Sequence, residues 1–264
     1  AKMEPSIKLL KNLPSGTIIL NRPAKRNALS RVLLEEIKQA FHDFHQERKV
    51  RAVILTGAGV AFCAGMDLAE MLETTRQPEA EAQAQWYDDA VAYKDLLDVM
   101  LMYPKPIIAA VNGPAVAGGA GLVLAADIVV ASKNASFGLP EPRRGLAAGM
   151  VAPLLEFRVG AGLAARLLLT ADMITAEEAL RLGLFHELVE DDLIWARAHE
   201  LAETCAKSAP ESLQLTKQML NETIGNHLSV SLSAGAAASA TARTTEAAKE
   251  GLQAFMEKRP PVWK

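Results

Sequence analysis

An α/β fold, with parallel strands covered by helices, follows from three features of this chain. Short, continuous apolar runs alternate with helical patterns in three successive strand, loop and helix units as far as Gly145. Beyond Gly145 the pattern is helical apart from one short run, Leu184 to Val189. The chain has 264 residues, half of them hydrophobic, enough for the core of one sizeable domain or one domain with a small helical appendage. The division expected is a core over residues 1–205 and a helical C-terminal region over 206–264.

Taken in order, Thr17 to Leu20 is a short apolar run, followed by NRPAKRNALS, rich in turn and cap residues. Ser30 is the expected N-cap of a helix whose apolar positions, Leu33, Leu34, Ile37, Phe41 and Phe44, recur at helical spacing. His42 and His45 fall on its other faces and read as solvated surface, since no carboxylate or cysteine completes a ligand set. Arg51 to Thr56 is the next strand; it leads through GAGVAFCAGMD to a helix from about Leu68. The polar, Ala/Gln/Glu-rich segment 74–83 is expected to be a mobile connection, and a helix of about five turns from Trp86 to Met102 ends at Tyr103-Pro104-Lys105-Pro106. Ile107 to Val111 is a strand, the Gly118-Gly119 pair opens a helix running to near Asp127, and Ile128 to Ala131 is a further strand. Thr175 and Glu178 fit a capping box for a helix stopped by Gly183, Pro210 opens another helix, and the Ala/Ser-rich stretch from Ser229 to Ala248 reads as a tightly packing helix.

Composition narrows the function. A formal charge of -3 with scattered Lys and Arg excludes an electrostatic footprint for nucleic acid. Two cysteines, Cys63 and Cys205, are too few for a disulfide framework and suit a reducing compartment, the cytoplasm or an organelle matrix. The stretch AKMEPSIKLL has no signal-peptide core, and no apolar run approaches the roughly 20 residues of a membrane span.

The stretch Pro106 to Gly145 holds the candidate chemistry. Backbone N–H groups at a helix start are unpaired donors reinforced by the helix dipole, and glycine leaves them open to a substrate carbonyl, so Gly118 is a candidate oxyanion donor. A lone Gly-Gly pair would more simply serve close helix packing. The N–H of Met66, at the end of a small-residue loop, is the second donor; removing one such donor typically costs roughly 10²- to 10³-fold in rate. Glu141, between Pro140 and Pro142, is the candidate acid/base if it lies near an apolar pocket. Arg143 and Arg144 have three readings: pairing with Glu141, binding an anionic substrate tail, or simple solvation, the last being preferred. Asp67 is expected in the first turn of a helix, and Cys63, among small apolar neighbours, is expected to be buried and inert.

As an ordered set, NRPAKRNALS, AVILTGAGVAFCAGMDLAEM, KPIIAAVNGPAVAGGAGLVLAADIVVAS, ASFGLPEPRRGL, LTADMITAEEALRLGLFHELV and EGLQAFMEKRPP resemble the crotonase, or enoyl-CoA hydratase/isomerase, superfamily over essentially the whole chain. The resemblance implies a spiral of ββα units with a helical C-terminal trimerisation region, a homotrimer or dimer of trimers, and an acyl-CoA thioester held by Met66 and Gly118 as its enolate forms. It further implies that Ala61, Cys63 and Ala64 lie along the CoA, with Arg22 and Lys25 near its nucleotide end, Gly119 and Gly121 among the substrate-binding residues, and Phe255 and Lys258 completing the CoA site of a neighbouring subunit. No metal and no cofactor is implied, coenzyme A being part of the substrate.

Typical hydratases of the family carry a second glutamate where this chain has Gly121, so the resemblance leaves a hydratase or a single-glutamate isomerase open, with a catalytically degenerate CoA-binding protein as a further class. Gly121-Leu122, RRGLAAGMVAPLL and EGLQAFMEKRPPVWK are similar to bacterial 3-methylglutaconyl-CoA hydratases of leucine breakdown, which favours hydration. The distal carboxylate of that substrate would suit Arg143 or Arg144. RNA binding lacks a basic stripe, and serine proteolysis on a related fold lacks a serine–histidine pair.

Overall fold

The computed structural model describes residues 5–223 and 228–263; residues 1–4 of the N-terminal stretch and Lys264 of the matched tail lie outside the described residues. The chain runs β1 (Ile7–Asn12), β2 (Ser15–Leu20), α1 (Arg31–Gln46), β3 (Ala52–Gly57), α2 (Leu68–Thr74), α3 (Glu79–Met102), β4 (Ile107–Val111), β5 (Ala115–Val116), α4 (Gly118–Ala125), β6 (Ile128–Ser132), β7 (Ser136–Gly138), α5 (Val151–Val159), α6 (Ala161–Thr170), β8 (Met173–Thr175), α7 (Ala176–Arg181), β9 (Glu187–Val189), α8 (Ile194–Ala206), α9 (Pro210–Gln218), α10 (Leu228–Arg243) and α11 (Glu246–Met256). A 3-10 turn, Glu141–Arg144, follows β7.

The main sheet has the order β1-β2-β3-β4-β6-β9 and is parallel except for the β1-β2 hairpin. Its central strands read as continuous apolar runs because both faces are covered. Val53, Leu55, Ile107, Ala109 and Val111 point into the larger core with α1, α3 and α4. Ala52, Ile54, Ile108 and Ala110 point the other way, against Ile194, Ala198 and Ala202 of α8. A second sheet, β5-β7-β8, stands apart from the first.

Local signals hold at the helix ends. Ser30 accepts a hydrogen bond from Leu33 N at 3.2 Å, and Thr175 accepts one from Glu178 N at 3.3 Å. His42 and His45 are exposed on α1. The expected mobile connection over 74–83 is corrected: α2 runs to Thr74 and α3 begins at Glu79, leaving only 75–78 between them. Alanine, glutamate and glutamine are strong helix formers, and Ala82 is buried in the first turn, so propensity outweighs the polar composition. The Ala/Ser-rich stretch divides into α10 and α11, with Thr245 capping the second by accepting from Ala248 N at 3.1 Å.

Glycine contacts lock the C-terminal helices onto the core. A Cβ on Gly235 of α10 would fall 2.1 Å from Gly149 O, and one on Gly251 of α11 would fall 2.2 Å from Arg144 O. Both approaches are backbone to backbone, so no side-chain rotation makes room. Gly235→Val is expected to cost at least about 1–3 kcal/mol, whereas Gly162→Ala, with nothing within 4 Å in exposed α6, is expected to stabilise by roughly 0.5–1 kcal/mol. Urea midpoints at constant slope measure both changes.

Candidate active site

Three chain segments cross the small sheet side by side. Ala115 of β5 pairs in parallel with Phe137 of β7 on one side and bridges Cys63 on the other. All three segments leave that row in the same direction. Met66, Gly118 and Glu141 follow within one short turn of the paired residues Cys63, Ala115 and Phe137. The two expected donors and the expected acid/base therefore emerge at one edge.

The donors are prepared by the backbone around them. Leu29 N donates to Gly65 O at 2.7 Å and Asp67 N to Leu29 O at 2.9 Å, which ties down both neighbours of Met66. Gly65 and Gly118 approach closely, since a Cβ on Gly65 would lie 3.1 Å from Gly118 N. Among the described residues, neither Met66 N nor Gly118 N donates a hydrogen bond. Ala117, just before α4, has φ 53 and ψ -120, a region that costs a non-glycine residue energy. Its own N–H donates to Gly138 O at 2.9 Å, which holds that turn against β7.

Two asparagines shape the first loop. Asn27 Nδ2 donates to Ala58 O and Ala61 O, both at 2.9 Å, and Asn112 accepts from Gly57 N while donating to Gly59 O, both at 3.0 Å. Ala61 and Cys63 are buried, and Ala64 faces the cavity. Burial pushes the Cys63 thiol up to about 12, so it stays protonated and is no nucleophile.

Glu141 is 8% exposed, and its Oε2 has no hydrogen-bond partner among the described residues. Desolvation pushes its carboxyl up to about 7, against a smaller opposing pull from its backbone amide and Arg144. It shares one cavity with Met66, Gly118, Tyr93, Arg144 and Arg243.

Gly121 does not leave a vacancy. A Cβ there would fall 2.0 Å from the hydroxyl oxygen of Tyr93, which stands in that space and donates to Gly118 O at 2.6 Å. Burial, with the nearby Cys63 and Glu141, raises the Tyr93 phenol well above its ordinary value, so it remains neutral.

The other expected residues are spread around this centre. Gly119 packs against the first loop, where a Cβ would meet Cys63 O at 2.2 Å. Arg22 pairs with Asp67 at 2.8 Å, and Asp67 caps α2 by accepting from Ala69 N at 3.1 Å. It is thus the cap and not a first-turn residue. Lys25 and Lys258 are exposed, and Phe255, half-exposed on α11, lies 4.9 Å under the Arg144 guanidinium. The two arginines after Glu141 part ways. Arg143 is exposed and pairs with Asp172, whereas Arg144 is half-buried in the cavity wall, which corrects the preference for solvation.

Tyr93 and Arg243 are the residues sequence reasoning passed over. Tyr93 falls in the buried stripe of α3 and is indistinguishable there from core. Arg243 carried a signal, as the one charged residue between Leu228 and Thr245. Among the described residues, no group of three His, Cys, Asp or Glu side chains is placed to hold a metal, and no helix is long and apolar enough to cross a membrane.

Comparison with known proteins identifies the family of the chain. The enoyl-CoA hydratase/isomerase family model matches residues 16–264. An enoyl-CoA-hydratase-type protein of Thermus thermophilus is 43% identical over 93% of this chain and 96% of its own. The 2,3-dehydroadipyl-CoA hydratase of Escherichia coli is 34% identical over 94% of each chain. The crystal structure of carnitinyl-CoA hydratase from Mycobacterium avium superposes with a TM-score of 0.85 at 34% identity, covering 99% of both chains. With a family model spanning nearly its whole length and a fold shared with solved members, the chain belongs to the enoyl-CoA hydratase/isomerase family.

Proposed function

We propose that this cavity hydrates a 2-enoyl-CoA thioester, with Glu141 as the acid/base. The observation that carries this reading is a buried carboxylate with a free oxygen and a proton affinity near neutrality, beside two undirected backbone N–H groups. The thioester oxygen accepts from Met66 N and Gly118 N. Glu141 takes a proton from water as the water oxygen bonds to Cβ; the C=C electron pair moves to the carbonyl, and its charge rests on the two donors. Glu141 then returns the proton to Cα and is a carboxylate again. Tyr93, whose proton is committed to Gly118 O, offers its oxygen lone pairs to the second water hydrogen and so orients the nucleophile.

Coenzyme A runs along residues 61–64 in this reading, with Arg22 and Lys25 at the nucleotide end and Phe255 and Lys258 closing a neighbouring subunit's site. The assembly is a homotrimer or a dimer of trimers in the cytoplasm. Exposed Leu215, Met219, Leu220 and Val230 on the C-terminal helices support burial between subunits. For the acyl group, 3-methylglutaconyl-CoA in leucine breakdown fits best. Its distal carboxylate suits a cavity walled by Arg144 and Arg243, and the Escherichia coli relative is named for a dicarboxylic substrate. A single carboxylate also permits 3-enoyl to 2-enoyl isomerisation, which Gly121 favours as the second reading; product analysis separates the two.

Glu141→Gln is expected to lower kcat roughly 10²- to 10⁴-fold, and the wild-type kcat/KM should rise with pH to a plateau above about 7, where the carboxylate predominates. The same group shapes stability with the opposite sign. Its folded value of about 7 exceeds the ordinary 4.5, so the folded state binds more protons across that window and stability falls as pH rises through it. Glu141→Gln should flatten this slope in chemical unfolding. Tyr93→Phe should cost hydration of crotonyl-CoA about tenfold, the size of one hydrogen bond, while sparing isomerisation of 3-hexenoyl-CoA, which needs no water. An equal loss in both reactions would show that the hydroxyl only supports the fold.

A further inference from the structure

Three buried side-chain atoms among the described residues have no hydrogen-bond partner: Glu36 Oε2, Glu141 Oε2 and Arg243 Nη1. Two of the three face the same cavity. Glu141 is explained by proton transfer. Arg243 is not, for it ends α10 at 4% exposure, and neither Met66 nor Gly118 needs a cation behind it.

The surrounding charges do not neutralise it. Asp89, whose charge favours the Arg243 cation, is already gripped by Arg31, whose Nε and Nη2 reach its two oxygens at 2.7 and 2.8 Å; Gln85 adds a third donor at 2.8 Å. Glu70 accepts from Arg31 N at 3.0 Å. Arg144 is a second cation in the same wall, and burial lowers Arg243 to about 10 without discharging it at neutral pH. A buried guanidinium nitrogen with no hydrogen-bond partner, its charge met only by an acid already engaged elsewhere, is unfavourable unless a ligand supplies the acceptor.

We propose that Arg243 receives a carboxylate at the far end of the acyl chain, so that the substrates are monothioesters of unsaturated dicarboxylic acids. The same cavity is also walled by Leu68, Met71, Leu146 and Val151, which suit a short hydrocarbon chain. Ser239 lies one turn before Arg243 on the same face of α10 and also lines the cavity, so its hydroxyl offers a second donor. The planar fork of arginine matches a carboxylate in a way that a lysine would not. Arg143, on the same turn as Arg144, is committed to Asp172 and is not part of this cavity wall.

This inference rests on the enoyl-CoA reading of the site, and the test keeps the two apart. Wild-type enzyme is assayed with glutaconyl-CoA, 3-methylglutaconyl-CoA and 2-pentenoyl-CoA, the last replacing the carboxylate by a methyl group. A preference of about 100-fold or more in kcat/KM for the dicarboxylic thioesters is expected. In Arg243→Met that ratio should fall towards one, and Arg243→Lys should recover part of it. Equal turnover of all three by wild type, or a preference untouched by Arg243→Met, overturns the assignment of Arg243 and leaves hydration standing. If no thioester is turned over, the hydratase reading fails; binding of glutaryl-CoA against pentanoyl-CoA by wild type, read by calorimetry, still decides the carboxylate site. Tighter glutaryl-CoA binding supports it and equal binding overturns it.

Discussion

The lateral register Cys63–Ala115–Phe137 is the constraint on which the site depends. A backbone ladder fixes neighbouring strands about 4.8 Å apart. Groups that leave adjacent strands at the same height therefore arrive within reach of one thioester, without any long side chain having to find its place. The arrangement also explains why the first two segments are rich in small residues. Cys63, Ala115, Ala117 and the glycines at 65, 118 and 119 allow three backbones to meet, and a side chain on any of these glycines would collide with a neighbouring segment or narrow the donor's approach. A one-residue slip in the β5–β7 pairing would displace Glu141 by about 3.3 Å relative to Gly118, enough to separate the carboxylate from the donors.

The C-terminal helices turn this edge into a cavity. The β5–β7 edge supplies donors and base but leaves them open on one side. The contact of α11 with the Glu141–Arg144 turn and of α10 with Gly149 covers it, and Glu141 is desolvated as a result. Chemistry and packing are therefore linked through one quantity, the exclusion of water from Glu141. An unburied carboxylate would sit at its ordinary value and be a poor proton donor to Cα; one fully buried with no nearby cation would resist ionising. Arg144 tempers the burial from one side and is itself held by Phe255 of α11.

Much of this was legible in the chain, and the remainder was hidden for definable reasons. The β3, β4 and β6 runs and the caps Ser30 and Thr175 announce themselves because each is a local pattern with a local cause. Glu141, Met66 and Gly118 stood out through turn chemistry and the family resemblance, and the structure places them around one cavity. The small sheet escaped because strands of two and three residues have no periodicity to read, although they set the register of the site. Tyr93 escaped because the stripe of α3 is core by spacing; only the third dimension shows that its hydroxyl enters the space above Gly121. Arg243 shows the converse, for a solitary charge in an apolar stretch marks itself but does not say what it faces.

Gly121 and Tyr93 together argue for how one carboxylate suffices. A second glutamate would share the work of deprotonating water and protonating Cα, and two carboxylates close together would push their proton affinities apart. Here the neighbouring group is a phenol that stays neutral, so Glu141 feels no fixed negative partner and its value is raised chiefly by burial, against a smaller pull from its backbone amide and Arg144. A group balanced near neutrality serves in both directions, as base towards water and as acid towards the enolate. The neutral hydroxyl can hold water without competing for its proton. The glycine is then a requirement of the tyrosine: a side chain at 121 would collide with the hydroxyl where it now donates to Gly118 O.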